Sequence, residues 1–187
     1  MNHFFSADHH FSHKNIIEYC NRPFPFEQHD DELIKRWNER VTNEDRVYHL
    51  GDFSWCPAAP ILDRLNFRSM IWILGNHDRK VKEGIMSSKG RDIKICQYME
   101  EIGVNGQEIT LCHYSMRKWN KSHYGTWHLY GHSHGTLPPY GLSMDVGVDN
   151  QNFYPVSFDE VKARMNGRLA NHSHTDLGLV KPISHFD

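Results

Sequence analysis

Leu129-Tyr130-Gly131-His132-Ser133-His134-Gly135 is an apolar run that ends in two histidines placed between glycines. Histidine is a poor turn former and a poor core residue, whereas glycine lets a backbone approach another group closely. We therefore expect both imidazoles to point at one shared ligand. A single histidine is more often an ordinary surface or core residue, so the interpretation depends on what accompanies this stretch.

Four other short polar segments also follow apolar runs. They are Asp8-His9-His10, Gly51-Asp52, Gly75-Asn76-His77-Asp78 and His113. Imidazole suits zinc, iron, manganese or nickel, and carboxylate oxygens suit harder ions such as manganese and magnesium. A mixed set of His, Asp and Asn ligands therefore indicates a first-row metal site. Side chains alternate along a strand, so each Asp-x-His or His-x-His pair at a strand end places two ligands on one side.

Composition describes an ordinary globular chain with an unusual number of histidines. The 187 residues are 39% hydrophobic and 24% charged, with a formal net charge of −2 and 15 histidines. This length favours a single domain, and the charge argues against non-specific binding of duplex nucleic acid. We expect a domain over residues 1–166 and a loosely held polar tail over residues 167–187.

The cysteines and the apolar runs indicate the compartment. Cys20, Cys56, Cys96 and Cys112 are dispersed without a Cys-x-x-Cys pair, which argues against a zinc ribbon and a disulfide framework. No signal peptide is evident and no apolar run is long enough to span a membrane, so we expect a cytoplasmic protein with no membrane partner.

Hydrophobic periodicity predicts an α/β fold. In the first half we expect strands over residues 3–7, 46–50 and 70–74, and helices over residues 14–19, from 30 or 31 to 41, and over 60–65. In the second half we expect strands over residues 92–98, 108–112, 127–130 and 142–146, then a helix over residues 158–166. An Asn105-Gly106 hairpin signal lies between the first two of these strands. The pattern predicts two packed sheets with helices outside and a site at the carboxyl ends of strands.

The candidate ligands are of the kind needed to hydrolyse a phosphate ester. Two divalent ions about 3.5–4 Å apart activate a shared water and neutralise the phosphoryl oxygens. Such a pair needs a bridging carboxylate and further ligands for each ion. Seven side chains are available, with Asp52 as the natural bridge: Asp8, His10, Asp52, Asn76, His113, His132 and His134.

The five motifs in this order resemble the calcineurin-like metallophosphoesterase superfamily over residues 1–166. Three segments, residues 8–17, 21–24 and 144–149, are similar to a small, minimal branch of it. The resemblance implies a four-layer sandwich of two mixed β-sheets flanked by helices, with a dinuclear metal site at the loop-bearing strand ends. It implies two divalent ions, with manganese expected and iron, nickel, zinc or magnesium as alternatives. The first ion would be held by Asp8, His10, Asp52 and His134. The second would be held by Asp52, Asn76, His113 and His132.

The resemblance also assigns the catalytic groups. His77 would contact the substrate phosphate and assist the leaving group as a hydrogen-bond donor or general acid. Asp78 would either orient His77 or only turn the loop, and Asn76 would also contact the substrate. Serine/threonine phosphatase members carry an Arg shortly after Gly-Asp and a Glu after Gly-Asn-His. Here those positions lie in Gly51-Asp52-Phe53-Ser54 and at Asp78, which argues against protein dephosphorylation.

Further residues are candidates for substrate binding. The loop over residues 116–124 joins two predicted ligands, so we expect it to overhang the metals as a lid. Its candidates, together with two residues near the amino terminus, are His13, Arg22, Arg117, Lys118 and Trp119. His13 could instead be a polar helix-start residue, and the segment after Arg22 could simply pack. His49, inside an apolar strand, is expected to be a hydrogen-bonded core histidine.

The sequence thus predicts a metal-dependent phosphohydrolase that cleaves small phosphodiesters or nucleotides with a hydroxide bridging the two ions. The alternatives are a nuclease acting on single-stranded nucleic acid and an inactive scaffold on the same fold. A scaffold would be expected to lose ligands, whereas all seven are present, and a single structural zinc would not need so many. The substrate, the metal, the preference for monoesters or diesters and the oligomeric state are not specified.

Overall fold

The computed structural model describes residues 1–78, 91–173 and 176–179. Within these ranges no helix is both long and apolar enough to cross a bilayer. All four cysteines lie in them and are free thiols. In chain order the elements are β1 (His3–Ser6), α1 (Ile16–Tyr19), α2 (Phe26–Arg40), β2 (Arg46–His49), α3 (Ala58–Leu62), β3 (Ser69–Ile73), β4 (Asp92–Cys96), β5 (Met99–Val104), β6 (Gln107–Cys112), β7 (Trp127–Tyr130), β8 (Ser143–Asp145), β9 (Val156–Ser157) and α4 (Phe158–Asn171).

The described strands form two mixed sheets. The first has the order β4-β3-β2-β1-β9, in which β1 to β4 are parallel and β9 is antiparallel to β1. The second has the order β5-β6-β7-β8, in which β6 to β8 are parallel and β5 is antiparallel to β6. The predicted α/β fold of two mixed sheets flanked by helices is confirmed. Its loops after β1, β2, β3, β6 and β7 carry the five polar motifs.

Alternate side chains of the first sheet enter two different cores. Phe4 and Val47 pack with Leu33 and Trp37 of α2 on the outer face. Phe5 and its alternating equivalents in β2 and β3 face the second sheet and pack with residues from its strands and from α4. Burying a side chain of this size stabilises the fold by about 1.5–3 kcal/mol. Both faces of β1 to β3 are covered, so apolar residues follow one another in these strands, whereas the edge strand β4 alternates polar and apolar residues.

All four helices have different bounds from those predicted. α1 begins at Ile16 rather than at residue 14, and α3 covers Ala58–Leu62 rather than residues 60–65. α2 begins at Phe26, four or five residues before the start predicted at residue 30 or 31, because Pro25 is extended and its fixed φ suits the position before the first turn. α4 continues to Asn171 and so crosses the boundary predicted at residue 166. Beyond it, Leu177 is buried in the core between the sheets, so the predicted loosely held tail is packed at this point.

The predicted hairpin has a different first strand. The run expected over residues 92–98 supplies only β4, which joins the first sheet beside β3. β5, which was not predicted, pairs with β6 across the turn at Asn105 and Gly106. Both turn residues have positive φ, 49° and 82°, as the Asn-Gly signal requires. β5 was missed because three of its six residues, Glu100, Glu101 and Gly103, are of types that are depleted in strands.

Candidate metal centre

Two groups of metal-ligand side chains lie next to each other at the carboxyl edge of the sheets. In the first group, Asp8 and His10 follow β1 and His134 follows β7. One ligand atom from each lies within 4.8 Å of the others. The second group consists of Asp52, His113 and His132, and one ligand atom from each again lies within 4.8 Å of the others.

The two groups meet at one carboxylate oxygen. Asp52 Oδ2 lies 3.6 Å from His10 Nε2 and 3.5 Å from His113 Nε2. Asn76 Oδ1 lies 3.0 Å from the same nitrogen of His113, which places the amide at the second group. All seven predicted ligand side chains are therefore brought together, and Asp52 lies between the groups as a bridge must.

Two buried atoms of the first group lack hydrogen-bond partners in the described part of the chain, which shows whether these residues suit a metal ion. Asp8 Oδ1 and His10 Nε2 have no hydrogen-bond partner among the residues that the structure describes. A buried polar atom without a partner costs about 1–3 kcal/mol. A divalent ion ligated by carboxylate oxygen and imidazole nitrogen would satisfy both atoms, so the residues fit such an ion.

The electrostatics of these side chains follow from burial and from their neighbours. Burial raises the pKa of Asp8 to about 8. Burial also lowers the pKa of His10 to about 2, which keeps this imidazole neutral and its lone pair free for a metal. Burial would raise the pKa of Asp52, but hydrogen bonds from His113 and from the His77 backbone outweigh it, and the pKa falls to about 2.

The ligand pairs reach the site by a different backbone geometry from the one predicted. Asp8, His10, His132 and His134 have φ between 47° and 65°, so they are left-handed rather than extended. Strand alternation therefore does not explain why each pair shares a side. A left-handed non-glycine residue costs on the order of 1–3 kcal/mol, and such strain concentrates at functional sites.

Three glycines leave room for the ligand carboxylates, as predicted for the stretch that contains Gly131. A Cβ on Gly75 would lie 2.2 Å from Asp52 Oδ1. A Cβ on Gly131 would lie 2.8 Å from Asp8 Oδ2, and one on Gly147 would lie 2.6 Å from the same atom. These are clashes that a side chain at any of the three positions would have to relieve by displacing a metal ligand.

Asp78 fixes two of the loops that carry candidate metal ligands to each other. Its carboxylate accepts hydrogen bonds from the backbone N–H groups of Asp52, Phe53 and Gly75 at 2.8–3.0 Å. It also accepts one from the Trp72 indole at 3.2 Å. Four donors occupy the two oxygens, so the structure corrects the predicted catalytic role. Asp78 sets the position of the loop that carries His77 and does not orient its imidazole.

A buried carboxylate without a predicted role orients His134. Asp149 Oδ2 lies 2.6 Å from His134 Nδ1, which leaves Nε2 for a metal ion. Burial lowers the pKa of His134, but the hydrogen bond with Asp149 outweighs it and raises the pKa to about 10. Asp145 holds the same loop through Ser133 Oγ at 2.5 Å and the Gly135 N–H at 2.9 Å. Both acids belong to the 144–149 segment, whose similarity to the minimal branch was the only signal for them.

The structure also corrects the predicted substrate-binding role of Arg22. Its five N–H donors are all used, by Asp149 twice, by His29 Nε2, and by the backbone carbonyls of Asp8 and His9. Its side chain is 0% exposed. Arg22 therefore positions the first metal group from behind and has no donor left for a phosphate.

Replacing Arg22 by Met is expected to lower the free energy of unfolding by about 3–5 kcal/mol, since it leaves a buried carboxylate without its ion pair. It should also reduce metal content at the first group, because Asp149 would lose its anchor. Urea denaturation and metal analysis measure the two effects. The matched control is Arg64→Met, which breaks the exposed pair with Asp31 and should cost less than about 1 kcal/mol. An Arg22→Met protein of normal stability and metal content with a raised KM would restore the substrate-binding role.

The predicted lid lies elsewhere. Trp119 is buried in the core between the sheets and donates its indole N–H to the Thr126 carbonyl at 3.0 Å. Lys121 pairs with Glu108 at 2.8 Å, at the end of β6 remote from His113. Five residues of strand make this separation about 16 Å.

The remaining lid candidates do not reach the site either. Arg117 covers the Tyr140 ring, with its guanidinium carbon 4.5 Å from the centroid. Arg117, Lys118 and Trp119 are all absent from the described lining of the cavity at the metal groups. The structure therefore corrects their predicted substrate-binding role.

His77 and His13 face a cavity of about 780 Å³ that opens on both metal groups. The His77 side chain is 42% exposed, with Nε2 4.0 Å from Asp52 Oδ2. His13 Nδ1 lies 3.3 Å from His10 Nδ1. Both positions suit a contact with a substrate phosphate, which stays a prediction. His49 is a buried core histidine paired with His9 at 2.9 Å, as predicted.

The fold and the site together define an α/β protein of two mixed sheets whose loop-bearing edge carries adjoining candidate metal groups. The family model of the calcineurin-like phosphoesterase superfamily domain matches residues 1–140, and the chain belongs to that superfamily. An uncharacterized protein of Methanocaldococcus jannaschii is 33% identical over 82% of this chain and 85% of its own length. The gene 66 protein of Mycobacterium phage L5 is 35% identical over 41% of this chain and 40% of its own length.

A solved structure shares the fold. The crystal structure of a protein of unknown function from Aquifex aeolicus superposes with a TM-score of 0.67 at 24% identity. The alignment covers 87% of this chain and 98% of that chain. This similarity supports the architecture of two sheets, and family membership supports phosphoester hydrolysis in general.

Proposed function

We propose that this protein is a phosphohydrolase with two divalent metal ions that cleaves small phosphodiesters or nucleotides. The observation that carries the proposal is the position of Asp52 Oδ2, which lies about equally far from an imidazole nitrogen of each metal group. A single-ion site would not require a shared carboxylate. When bound, two such ions supply an activated water and neutralise charge on the phosphate.

The residues of the chain have distinct parts in this reaction. Asp8, His10, Asp52 and His134 would hold the first ion, and Asp52, Asn76, His113 and His132 the second. His77 presents an exposed imidazole beside Asp52 and would donate a hydrogen bond or a proton to the leaving-group oxygen. Asp78 and Arg22 hold the loops in place, so the groups that contact the substrate need no rearrangement during the reaction.

Removing the metal is expected to abolish hydrolysis, and adding manganese back should restore it. The test incubates purified protein with a chelator, then with Mn²⁺, and assays aryl phosphate monoesters, aryl phosphodiesters, cyclic nucleotides and short oligonucleotides. Metal analysis should give two ions per chain in the active protein. Full turnover after exhaustive chelation, or a metal-loaded protein with one ion and no hydrolysis of any substrate, would refute the proposal. The second outcome would favour a protein with a single structural ion, whereas a scaffold would bind metal weakly or not at all.

A further inference from the structure

Part of the wall of the metal-site cavity consists of apolar side chains that hydrolysis itself does not need. Tyr19 is 71% exposed, Trp55 49% and Leu137 48%, and all three line the cavity with the metal ligands. Exposed apolar groups clustered beside a catalytic site mark a surface that a ligand covers. We therefore expect these side chains to contact a part of the substrate that does not react.

The wall is continuous with the proposed catalytic donor. The Trp55 ring lies 4.5 Å from the ring of His77, measured between centroids. On another side it stacks on His13 at 3.8 Å with an angle of 5° between the planes. His13 in turn meets Tyr19 edge to face at 6.4 Å. A group attached to a phosphate that contacts His77 would therefore lie along these rings.

The described walls of the cavity favour an uncharged arm of the substrate over a polyanionic one. Among the described residues that line it there is no lysine or arginine, and Asp52 at the metal groups is the one carboxylate. The nearby Arg22 has no free donor. A second phosphate on the substrate would find no lysine or arginine among the described residues of these walls, whereas an uncharged ring would find apolar and aromatic contacts.

We propose that the substrate of this site is a phosphate ester with an uncharged aromatic ring on one ester arm, and that the ring packs against Trp55, Tyr19 and Leu137. An aryl group and a nucleobase share this chemistry. The proposal rests on the proposed function and specifies its substrate class. It replaces the loop over residues 116–124 as the element that determines specificity.

The test uses binding to manganese-loaded protein, measured by calorimetry, with phenylphosphonate and methylphosphonate as probes. Both carry the same phosphoryl head, and only the first carries a ring. The unmodified protein should bind phenylphosphonate about 10- to 100-fold more tightly, the usual effect of a ring packed on aromatic side chains. The double variant Tyr19→Ser/Leu137→Ser should lose most of this preference and bind methylphosphonate as before. Tyr98→Ser, which removes an equally exposed tyrosine outside the cavity lining, should change neither affinity.

A preference kept by the double variant, or equal binding of both probes by the unmodified protein, would overturn the proposal. Hydrolysis is measured separately with methyl 4-nitrophenyl phosphate, whose KM should rise in the double variant more than kcat falls. Absence of hydrolysis by the metal-loaded unmodified protein would reject the proposed function, while the phosphonate binding would still decide the preference for a ring.

Discussion

Asp52→Asn is expected to remove metal ions from both groups and to reduce hydrolysis by at least about 10³-fold, since each ion contributes several kcal/mol to charge stabilisation in such sites. The physical reason is that Asp52 Oδ2 is the atom shared by the two groups. An amide keeps the shape of the carboxylate but loses the charge that holds the ions. Metal analysis after gel filtration and a phosphodiesterase assay measure the two results.

The control for this variant is a second buried carboxylate. Asp45 is buried, and it accepts hydrogen bonds from the Asn2 and Thr42 N–H groups near the start of β2. Asp45→Asn should weaken those bonds and lower stability but leave two ions per chain. If Asp52→Asn kept both ions and full activity, the shared-carboxylate site would be wrong.

His77→Ala is expected to keep both ions and to lose about 10²–10⁴-fold in kcat, the usual contribution of a general acid or a positioned donor. Its side chain is 42% exposed, so its removal opens no cavity in the core. Metal content and the melting temperature should match those of the unmodified protein. The contrast with Asp52→Asn separates holding the metal from assisting the leaving group.

The size of the His77→Ala defect should depend on the leaving group. A poor leaving group such as an alkoxide needs a proton, whereas 4-nitrophenolate leaves without one. The defect should therefore be larger for alkyl than for 4-nitrophenyl esters. The exposed His123, which contacts Tyr124 in the loop that the structure places away from the metals, supplies the matched control His123→Ala. An equal defect on both esters would leave His77 as a phosphate-binding residue without a role as an acid.

The metal ligands could be predicted from the sequence because only a few residue types bind metal ions. Histidines and carboxylates that follow apolar runs, with glycines beside them, are typical of metal sites, and the structure brings all seven ligands together. The sheets were also predictable, since buried parallel strands are continuous apolar runs. Even so, the left-handed backbone at His132 and His134 has no sequence signal comparable to an Asn-Gly turn.

The substrate-binding residues were predicted less well than the metal ligands. The composition of a polar segment does not determine which part of the protein surface the segment will cover. Arg117, Lys118 and Trp119 have the composition of a phosphate-binding loop. Their positions instead follow from distant partners, such as Glu108 for the neighbouring Lys121. Similarly, nothing in the sequence near Arg22 indicates that its side chain is buried. Its ion-pair partner is Asp149, which is 127 residues away in the sequence.

The pairing of β1 with β9 has a consequence for folding. Phe4 is opposite Ser157 in the first sheet, and the first metal group joins Asp8 to His134. Contacts so distant in sequence carry a large loop-closure cost and make folding slow. A partly folded chain therefore lacks a complete ion site, and ions that bind only the finished fold shift the equilibrium toward it by mass action. We expect manganese to slow unfolding and to leave the early steps of folding unchanged, so that metal uptake reports the completion of the chain's topology.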